Sequence, residues 1–257
     1  MSNVAKKAFA VSYAILTACA PLKFQSESVK YTPKVESIQK VKFKYPVPVL
    51  LYHHFTIGKN KRYKLSVESF ERQLKYLKEK GYTSLFLEEL PLRCHEKSVV
   101  LTFDDVGRDF YELVFPILKK YEFKAEIFPI VCTIGKRGWL TWKQLKEMEE
   151  SGLVDVQSHT MFHKDLTKLS DKELLYELSR SKEILEKNLG KEIKYLAWPY
   201  GKFNHRTIEV AKKVGYKGFL TVESDKNYEL DFTRIKRIEV NGIRLTKEGL
   251  PKDIDLK

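Results

Sequence analysis

The sequence predicts an α/β fold in which parallel strands are connected by helices. Short apolar runs alternate with amphipathic segments of helical length between about residue 47 and about residue 222, and this alternation is typical of βαβ units. Three of the apolar runs end in polar or aromatic motifs, as expected where strands open onto the rim of a site. The 257 residues, 43% of them hydrophobic, are enough for one large domain or two small ones.

Seven apolar runs have the length of buried strands. They cover residues 47–53, 83–87, 99–103, 125–131, 153–157, 193–198 and 217–222. Five segments between them have apolar residues at helical spacing. They cover residues 66–80, 109–121, 141–150, 170–189 and 204–214. Ser66 and Thr141 are suited to begin helices, and a glycine follows four of the five segments, so the helix boundaries are better marked than the strand boundaries.

The third strand leads directly into two adjacent carboxylates. Residues 98–107 read SVVLTFDDVG, and Asp104 and Asp105 follow the apolar run. Neighbouring side chains on a strand point to opposite faces, so two consecutive aspartates indicate that the chain turns there and presents both groups. The alternative interpretation is a strand followed by a helix that Asp105 caps.

Two further motifs follow the fifth and sixth strands. His159 and His163 are four residues apart and would share a face in a helical turn. Two imidazoles and a carboxylate make the three-ligand site with an open position that catalytic zinc uses, although two surface histidines also arise by chance. Residues 196–201 read LAWPYG, which would form a wall of the site or only a turn that closes the strand.

These motifs, in this order, resemble the polysaccharide deacetylases of carbohydrate esterase family 4, also called the nodulation-type deacetylase domain. The resemblance runs from about residue 47 to about residue 240 and includes TFDD, SHTMFH and WPYG, with PVLLYHH before them and RIKRIEV after them. It is closest to the branch that deacetylates poly-β-1,6-N-acetylglucosamine in biofilm matrices. The resemblance implies a distorted, incomplete (β/α) barrel, with about seven parallel strands here.

The resemblance also implies the roles of individual residues. Asp105, His159 and His163 would be the ligands of a divalent metal. Zinc is favoured, and cobalt, nickel and iron also suit such a ligand set. Asp104 would be the general base, and the backbone N–H of Tyr200 would donate a hydrogen bond to the oxyanion. The side chains of Trp198 and Tyr200, with Trp139 as a further candidate, would stack on sugar rings.

The sequence departs from the family pattern at three places. Val106, not glycine, follows the two aspartates, and Ala197 stands where the third motif often has an arginine. The missing arginine that orients the base would have to come from elsewhere, and Arg237 and Arg234 are candidates. Many members also have a late histidine that acts as the general acid, whereas no histidine follows His205 here.

Three histidines are candidates for the missing general acid. His53, at the end of the first strand, is the first candidate and His54 the second; packing in the core is the alternative for one of them. His205 is a weaker candidate, and His95 has no supporting context.

The amino terminus resembles a lipoprotein signal. Residues 1–20 combine Lys6 and Lys7 with a short apolar stretch that ends in LTAC, so lipidation of Cys19 is expected; cleavage after residue 20 and an uncleaved anchor are the alternatives. Residues 21–45 are predicted to be a tether and residues 46–257 the deacetylase domain. Cys94 and Cys132 would remain, and their separation in sequence does not determine whether they pair.

The function expected from these observations is metal-dependent hydrolysis of N-acetyl groups on an N-acetylglucosamine polymer, favouring poly-β-1,6-N-acetylglucosamine. Deacetylation of peptidoglycan or chitin oligomers and non-catalytic glycan binding are the alternatives. The enzyme would be exported and anchored by lipid at the cell envelope, on a periplasmic or cell-surface face. The net charge of +13 would suit an acidic partner or an anionic membrane. No basic helix or aromatic-basic repeat indicates a nucleic acid partner.

Overall fold

Strands and helices alternate along the part of the chain that the computed structural model describes, which comprises residues 40–61, 64–240, 242, 245, 246 and 250. The strands are β1 Lys40–Val47, β2 Val49–Tyr52, β3 His54–Thr56, β4 Lys64–Ser66, β5 Thr83–Ser84, β6 Ser98–Asp104, β7 Ala125–Phe128, β8 Val154–Val156, β9 Tyr195–Ala197, β10 Gly218–Leu220, β11 Asn227–Asp231 and β12 Ile238–Glu239. The α-helices are α1 Val67–Glu79, α2 Leu90–Arg93, α3 Phe115–Tyr121, α4 Trp142–Glu150, α5 Asp171–Leu189 and α6 His205–Val214.

The principal sheet is parallel and has β6 near its centre. Its strand order is β12–β2–β6–β7–β8, and β5 also pairs with the beginning of β6. In this register Leu50 lies opposite Leu101, and Thr102 lies opposite Glu126. Because all these strands run the same way, their carboxyl ends meet at one edge.

The remaining parallel strands extend this sheet towards a ring. β9 pairs with β10, and single bridges join Ser158 to Leu196 and Leu220 to Ile235. The order around the ring is therefore β2, β6, β7, β8, β9, β10 and β12. This arrangement confirms the predicted distorted, incomplete (β/α) barrel of about seven parallel strands. The described residues do not form a closed, continuously paired barrel, because two joins rest on single bridges.

The two faces of the strands contribute to two apolar clusters. Leu101 and Ile127 pack in a large cluster with residues of the helices, such as Leu74 and Leu178. The alternate positions, such as Val100, belong to a smaller cluster that consists mainly of strand residues. Parallel strands buried on both faces read as continuous apolar runs, which explains why the sequence pattern identified them.

Most predicted helices are confirmed with their caps. The side chains of Ser66, Thr141, Ser170 and Asn204 each accept a hydrogen bond from a backbone N–H in the first turn of the following helix. The exception is the predicted helix at 109–121, which passes through a π-helical turn, Phe110–Val114, before α3 begins. Pro116 has no N–H to donate and would clash with the carbonyl of an α-helical turn before it, so the local change in winding is expected there.

The predicted strand at residues 83–87 and the predicted tether need correction. Residues 83–87 contribute only the two-residue strand β5, and β12 takes the seventh place in the ring. Residues 40–45, predicted to be part of a tether, belong to β1, which pairs antiparallel with β11. The apolar residues Val41 and Phe43 of β1 pack against the smaller cluster, which explains why these residues form a strand and not a tether.

Several predictions lie outside the described residues. They are the signal segment, Cys19 and residues 21–39 of the predicted tether. In the described part of the chain, no helix has both the length and the apolar composition needed to cross a bilayer. Cys94 and Cys132 are both free cysteines.

Candidate active site

The predicted site residues follow strands that end at the same edge of the ring. Asp104 is the last residue of β6, and Asp105 follows it in a left-handed conformation with φ 54°. His159 lies three residues after the end of β8, and Tyr200 three residues after the end of β9. The turn at Asp105 lets two neighbouring aspartates serve the same site, as the motif predicted.

Three side chains form a candidate metal site. The Oδ1 atom of Asp105 lies 3.5 Å from Nε2 of His159 and 3.7 Å from Nε2 of His163. These three ligand atoms all lie within 4.8 Å of one another. The structure therefore brings the three residues predicted as metal ligands together.

The histidines converge through a loop, so the predicted helical turn is wrong. Residues 159–163 have no helical hydrogen bonding, and both Thr160 (φ 68°) and His163 (φ 56°) adopt left-handed conformations. The carboxylate of Glu177 in α5 accepts hydrogen bonds from the backbone N–H groups of Met161 (3.1 Å) and Phe162 (2.9 Å). These bonds replace those that a helix would have supplied.

The chemistry of the three residues fits a divalent metal ion. Oδ1 of Asp105 is buried and has no hydrogen-bond partner among the described residues, which is costly unless a cation binds there. Nδ1 of His159 lies 2.9 Å from the carbonyl oxygen of Ala197, so this nitrogen donates and Nε2 is left with a lone pair for a metal. Burial and the neighbouring His159 lower the pKa of His163 to about 4, which keeps its imidazole neutral. Two imidazoles and a carboxylate suit zinc and related metals.

Asp104 is held by a buried arginine. Nη1 and Nη2 of Arg237 donate to the two carboxylate oxygens of Asp104 at 2.8 and 2.7 Å, while Nε donates to the carbonyl of Thr221 at 2.8 Å. Arg237 is fully buried. Burial would raise the pKa of Asp104, but the charge and hydrogen bonds of Arg237 outweigh it and hold the pKa at about 2. Arg237, one of two candidates for the missing arginine, therefore contacts the predicted base. The other, Arg234, is exposed and pairs with Glu223.

His53 lies beside the two aspartates. Its strand neighbour Tyr52 is paired with Phe103, the residue before Asp104. Burial lowers the pKa of His53, and the carboxylates of Asp104 and Asp105 act on it in the opposite direction. His54 begins β3 next to it.

The other two histidines lie on exposed surface. His205 is exposed at the start of α6. His95 is also exposed, with Nε2 2.7 Å from the hydroxyl of Thr83. Neither residue is brought to the aspartates.

The aromatic residues of the third motif have different environments. Tyr200 is 52% exposed, adopts a left-handed conformation, and its ring lies 4.6 Å from that of His163. Trp198 is fully buried and stacks on Phe203 and Phe219. The prediction that Trp198 stacks on a sugar is therefore wrong, because the core already covers its ring. Tyr200 keeps an accessible ring at the site.

The sequence analysis did not identify Glu177 or Asp109. Glu177 supports the histidine loop, and Oδ2 of Asp109 accepts a hydrogen bond from the N–H of Phe55 at 2.9 Å. A signal for Glu177 was present, since it lies between Leu174 and Leu178 on the buried face of its helix. A carboxylate is rare at such a position unless it has a partner.

Comparisons with known proteins agree with this geometry. A family model described as polysaccharide deacetylase matches residues 93–219. The solved structure of Streptococcus pyogenes deacetylase PplD in complex with acetate superposes with a TM-score of 0.72 at 31% identity and covers 77% of this chain and 94% of that chain. IcaB from Ammonifex degensii superposes with a TM-score of 0.69 at 28% identity, covering 76% and 92% of the two chains.

Curated sequences are also similar over most of the described region. The poly-β-1,6-N-acetyl-D-glucosamine N-deacetylase of Staphylococcus aureus (strain MRSA252) is 33% identical over 181 residues, 63% of this chain and 62% of that protein. YxkH of Bacillus subtilis (strain 168) is 34% identical over 183 residues, 69% of this chain and 64% of that protein. The chain thus spans somewhat less than two thirds of these curated relatives. Together with the near-complete coverage of PplD, these matches show that the chain belongs to the polysaccharide deacetylase family, carbohydrate esterase family 4.

Proposed function

We propose that this protein is a metal-dependent N-deacetylase that removes acetyl groups from an N-acetylglucosamine polysaccharide. The observation that carries the proposal is the cluster of Asp105, His159 and His163, whose ligand atoms lie within 4.8 Å of one another beside the Asp104–Arg237 pair. A metal ion bound by the three residues would also satisfy the buried oxygen of Asp105 that has no hydrogen-bond partner among the described residues.

Asp104 is the base in this proposal. A divalent ion held by Asp105, His159 and His163 would lower the pKa of a bound water molecule and polarise the amide carbonyl of the substrate. Asp104 accepts the proton of the attacking water, and Arg237 keeps its carboxylate ionised and fixes its orientation through two hydrogen bonds. Arg237 thereby serves in place of the arginine that the family often has at the position of Ala197.

The leaving amine needs a proton, and the negative charge that develops on the acetyl oxygen during the reaction needs a hydrogen-bond donor. We assign the proton transfer to His53, a histidine beside Asp104 and Asp105 that is not one of the three metal ligands. Burial lowers the pKa of His53, so its ring would have to take up a proton during the reaction before it donates one to the amine. We assign hydrogen bonding of the oxygen to the backbone N–H of Tyr200, a role that is typically worth about 3–4 kcal/mol. The exposed ring of Tyr200 would pack against a sugar.

The polymer that we propose is poly-β-1,6-N-acetylglucosamine. The support is the 33% identity to the Staphylococcus aureus enzyme named for that polymer. Peptidoglycan and chitin oligomers remain alternatives, since the same cluster would hydrolyse an acetamido group in either of them.

The test is acetate release from poly-β-1,6-N-acetylglucosamine by enzyme that has been stripped with a chelator and then refilled with zinc, cobalt or nickel. Metal-dependent release supports the proposal. Release only from peptidoglycan or chitin oligomers would support the deacetylase activity and replace the proposed polymer. If no metal restores release from any of the three, the result would contradict the deacetylase proposal and favour the alternative of non-catalytic glycan binding.

We also propose, from residues 1–20 alone, that the protein is exported and anchored through a lipid on Cys19. Metabolic labelling with a radioactive fatty acid would test this. Incorporation into the full chain that is lost in the Cys19→Ser variant is expected. An unlabelled chain would leave the deacetylase proposal intact and remove the anchor.

A further inference from the structure

A groove adjoins the turn that carries the two aspartates. It encloses about 540 Å³, which is within the usual range for a ligand site. Gly107 forms a bridge with Trp139, and the N–H of Arg108 donates to the carbonyl of Gly138 at 3.0 Å. Trp139 and Arg108 both line the groove. Gly138 and Trp139, on one wall of the groove, are thus hydrogen-bonded to the segment that begins two residues after Asp105.

The groove is strongly cationic. Arg108, Lys136, Arg137 and Lys143 line it, whereas Glu147 is its single carboxylate and already accepts a hydrogen bond from Tyr111 at 2.7 Å. The side chains of Arg137 and Lys143 are exposed, and in the described part of the chain neither forms an ion pair. A basic chain will have basic patches, but this one combines charge with a concave shape, an aromatic ring and backbone hydrogen bonds to the segment that follows Asp105.

Sugar rings and acidic groups are the ligands that such a surface recognises. The half-buried ring of Trp139 provides a flat apolar face for a sugar. Arginine forms paired hydrogen bonds with carboxylate and phosphate, and lysine adds a point charge. Arg108 already pairs with Glu112 at 2.6 Å, so the charges that a ligand would meet are chiefly those of Arg137 and Lys143. A neutral glycan would use the aromatic face and gain nothing from them.

We propose that this groove binds an acidic group, carboxylate or phosphate, on a sugar near the one that is deacetylated. The preferred polymer is then an N-acetylglucosamine polysaccharide that carries acidic substituents. This inference rests on the proposed deacetylase activity, but it favours an acidic polymer such as peptidoglycan over unsubstituted poly-β-1,6-N-acetylglucosamine, which is neutral. It has a further consequence: deacetylation leaves an amine that is cationic when protonated, so the groove disfavours chains whose neighbouring sugars have already reacted.

The experiment compares three oligomers of N-acetylglucosamine of equal length, namely the neutral one, one with a carboxylate and one with a phosphate on a neighbouring sugar. Acetate release by the metal-loaded enzyme gives kcat/KM for each. At low salt the acidic oligomers are expected to be better by about 2-fold to 30-fold, since two exposed charge pairs contribute roughly that much. The preference should shrink as salt rises from about 0.01 M to about 1 M, because the Debye length falls from about 30 Å to about 3 Å. The carboxylate and phosphate arms identify which acid the groove prefers.

The decisive variant is the double substitution Arg137→Glu and Lys143→Glu. Arg137 lies in an exposed turn, and Lys143 lies in the first turn of α4, where a glutamate is favourable for the helix, so the variant should fold. It is expected to abolish or reverse the preference for acidic oligomers. The matched control, Lys187→Glu with Lys213→Glu, makes the same change in net charge at exposed positions outside the groove and should keep the preference.

The outcomes separate this inference from the proposed function. Equal rates on neutral and acidic oligomers, unaffected by salt and by the double substitution, would overturn the groove assignment and leave the deacetylase intact. If no oligomer is hydrolysed, calorimetric binding of the same three oligomers to the wild type and the variant makes the same comparison without turnover. Stronger binding of the neutral oligomer there would also overturn it.

Discussion

At the level of single residues, the site depends on a carboxylate that is buried and yet ionised. Asp104 is 2% exposed, and its pKa is about 2 because Arg237 compensates for the loss of water. A carboxylate in that state stays ionised over the whole neutral range. Asp105, one residue away, has a buried oxygen with no partner and suits a cation. One dipeptide thus supplies two groups with different tasks.

The two aspartates are expected to differ when they are mutated to asparagine. Asp104→Asn should retain the metal and lower kcat by about 100-fold to 10,000-fold, since it removes the proposed base. Asp105→Asn should lose both the metal and the activity. Elemental analysis of the purified variants and acetate release measure the two effects, with circular dichroism to show that each variant is folded. Full activity of metal-free Asp105→Asn would refute the assignment of Asp105.

The two candidate arginines provide a second test. Arg237→Met leaves Asp104 buried without its partner and should destabilise the fold by about 3–5 kcal/mol. Arg234→Met removes only an exposed pair with Glu223 and should cost about 0–1 kcal/mol. Urea unfolding of the two variants measures the difference. Similar small losses in both would mean that the Asp104–Arg237 pair contributes little to stability.

At the level of elements, α5 supports the histidine loop from behind. Glu177 accepts two backbone N–H groups of the loop, between two residues with positive φ, Thr160 and His163. Burial raises the pKa of Glu177, but the two N–H bonds favour its ionised form. The loop therefore owes its shape to a helix that contributes no metal ligand.

Replacing Glu177 should weaken metal binding without touching a ligand. Glu177→Leu removes the oxygen that accepts both hydrogen bonds and leaves two N–H groups unsatisfied, so metal affinity should fall by about 10-fold to 100-fold. Glu177→Gln keeps an acceptor oxygen and should restore much of it. Competition with a fluorescent chelator measures the affinity, and Glu183→Leu, at an exposed position of the same helix, is the control. Equal affinity in the Leu variant and the control would show that the loop holds its shape unaided.

Elements whose signals are local were predictable, and those that depend on distant pairing were not. The N-caps Ser66 and Thr141 act within one turn, so the starts of their helices could be predicted from the sequence. The pairing of β1 with β11 joins Lys40 to Asp231, and no nearby residue indicates it.

In the candidate active site, too, local features were predictable and contacts between distant residues were not. The spacing of the two histidines predicted that they would meet. The loop that brings them together depends on Glu177, farther along the chain in α5, and so the predicted helical turn was wrong. The partner of Asp104 is 133 residues away, and the sequence limited it only to two arginines.

At the level of the whole molecule, the ring of strands turns separate motifs into one site. Asp105 follows β6 and the histidines follow β8, with β7 between them in the sheet. A ligand that binds all three residues would therefore connect two strands that are not neighbours. The fold and the metal should then stabilise each other.

Metal should raise the thermal stability of the whole domain. A ligand that binds only the folded state at about 100 times its Kd contributes about 2.7 kcal/mol, which for a chain of this size raises Tm by about 5–10 °C. Thermal unfolding monitored by circular dichroism, after chelation and after refilling with zinc, measures the shift. The His159→Ala variant should show none, because the loss of one of the three ligands abolishes metal binding. An active wild-type enzyme whose Tm is the same with and without chelator would contradict a metal held jointly by the ends of β6 and β8.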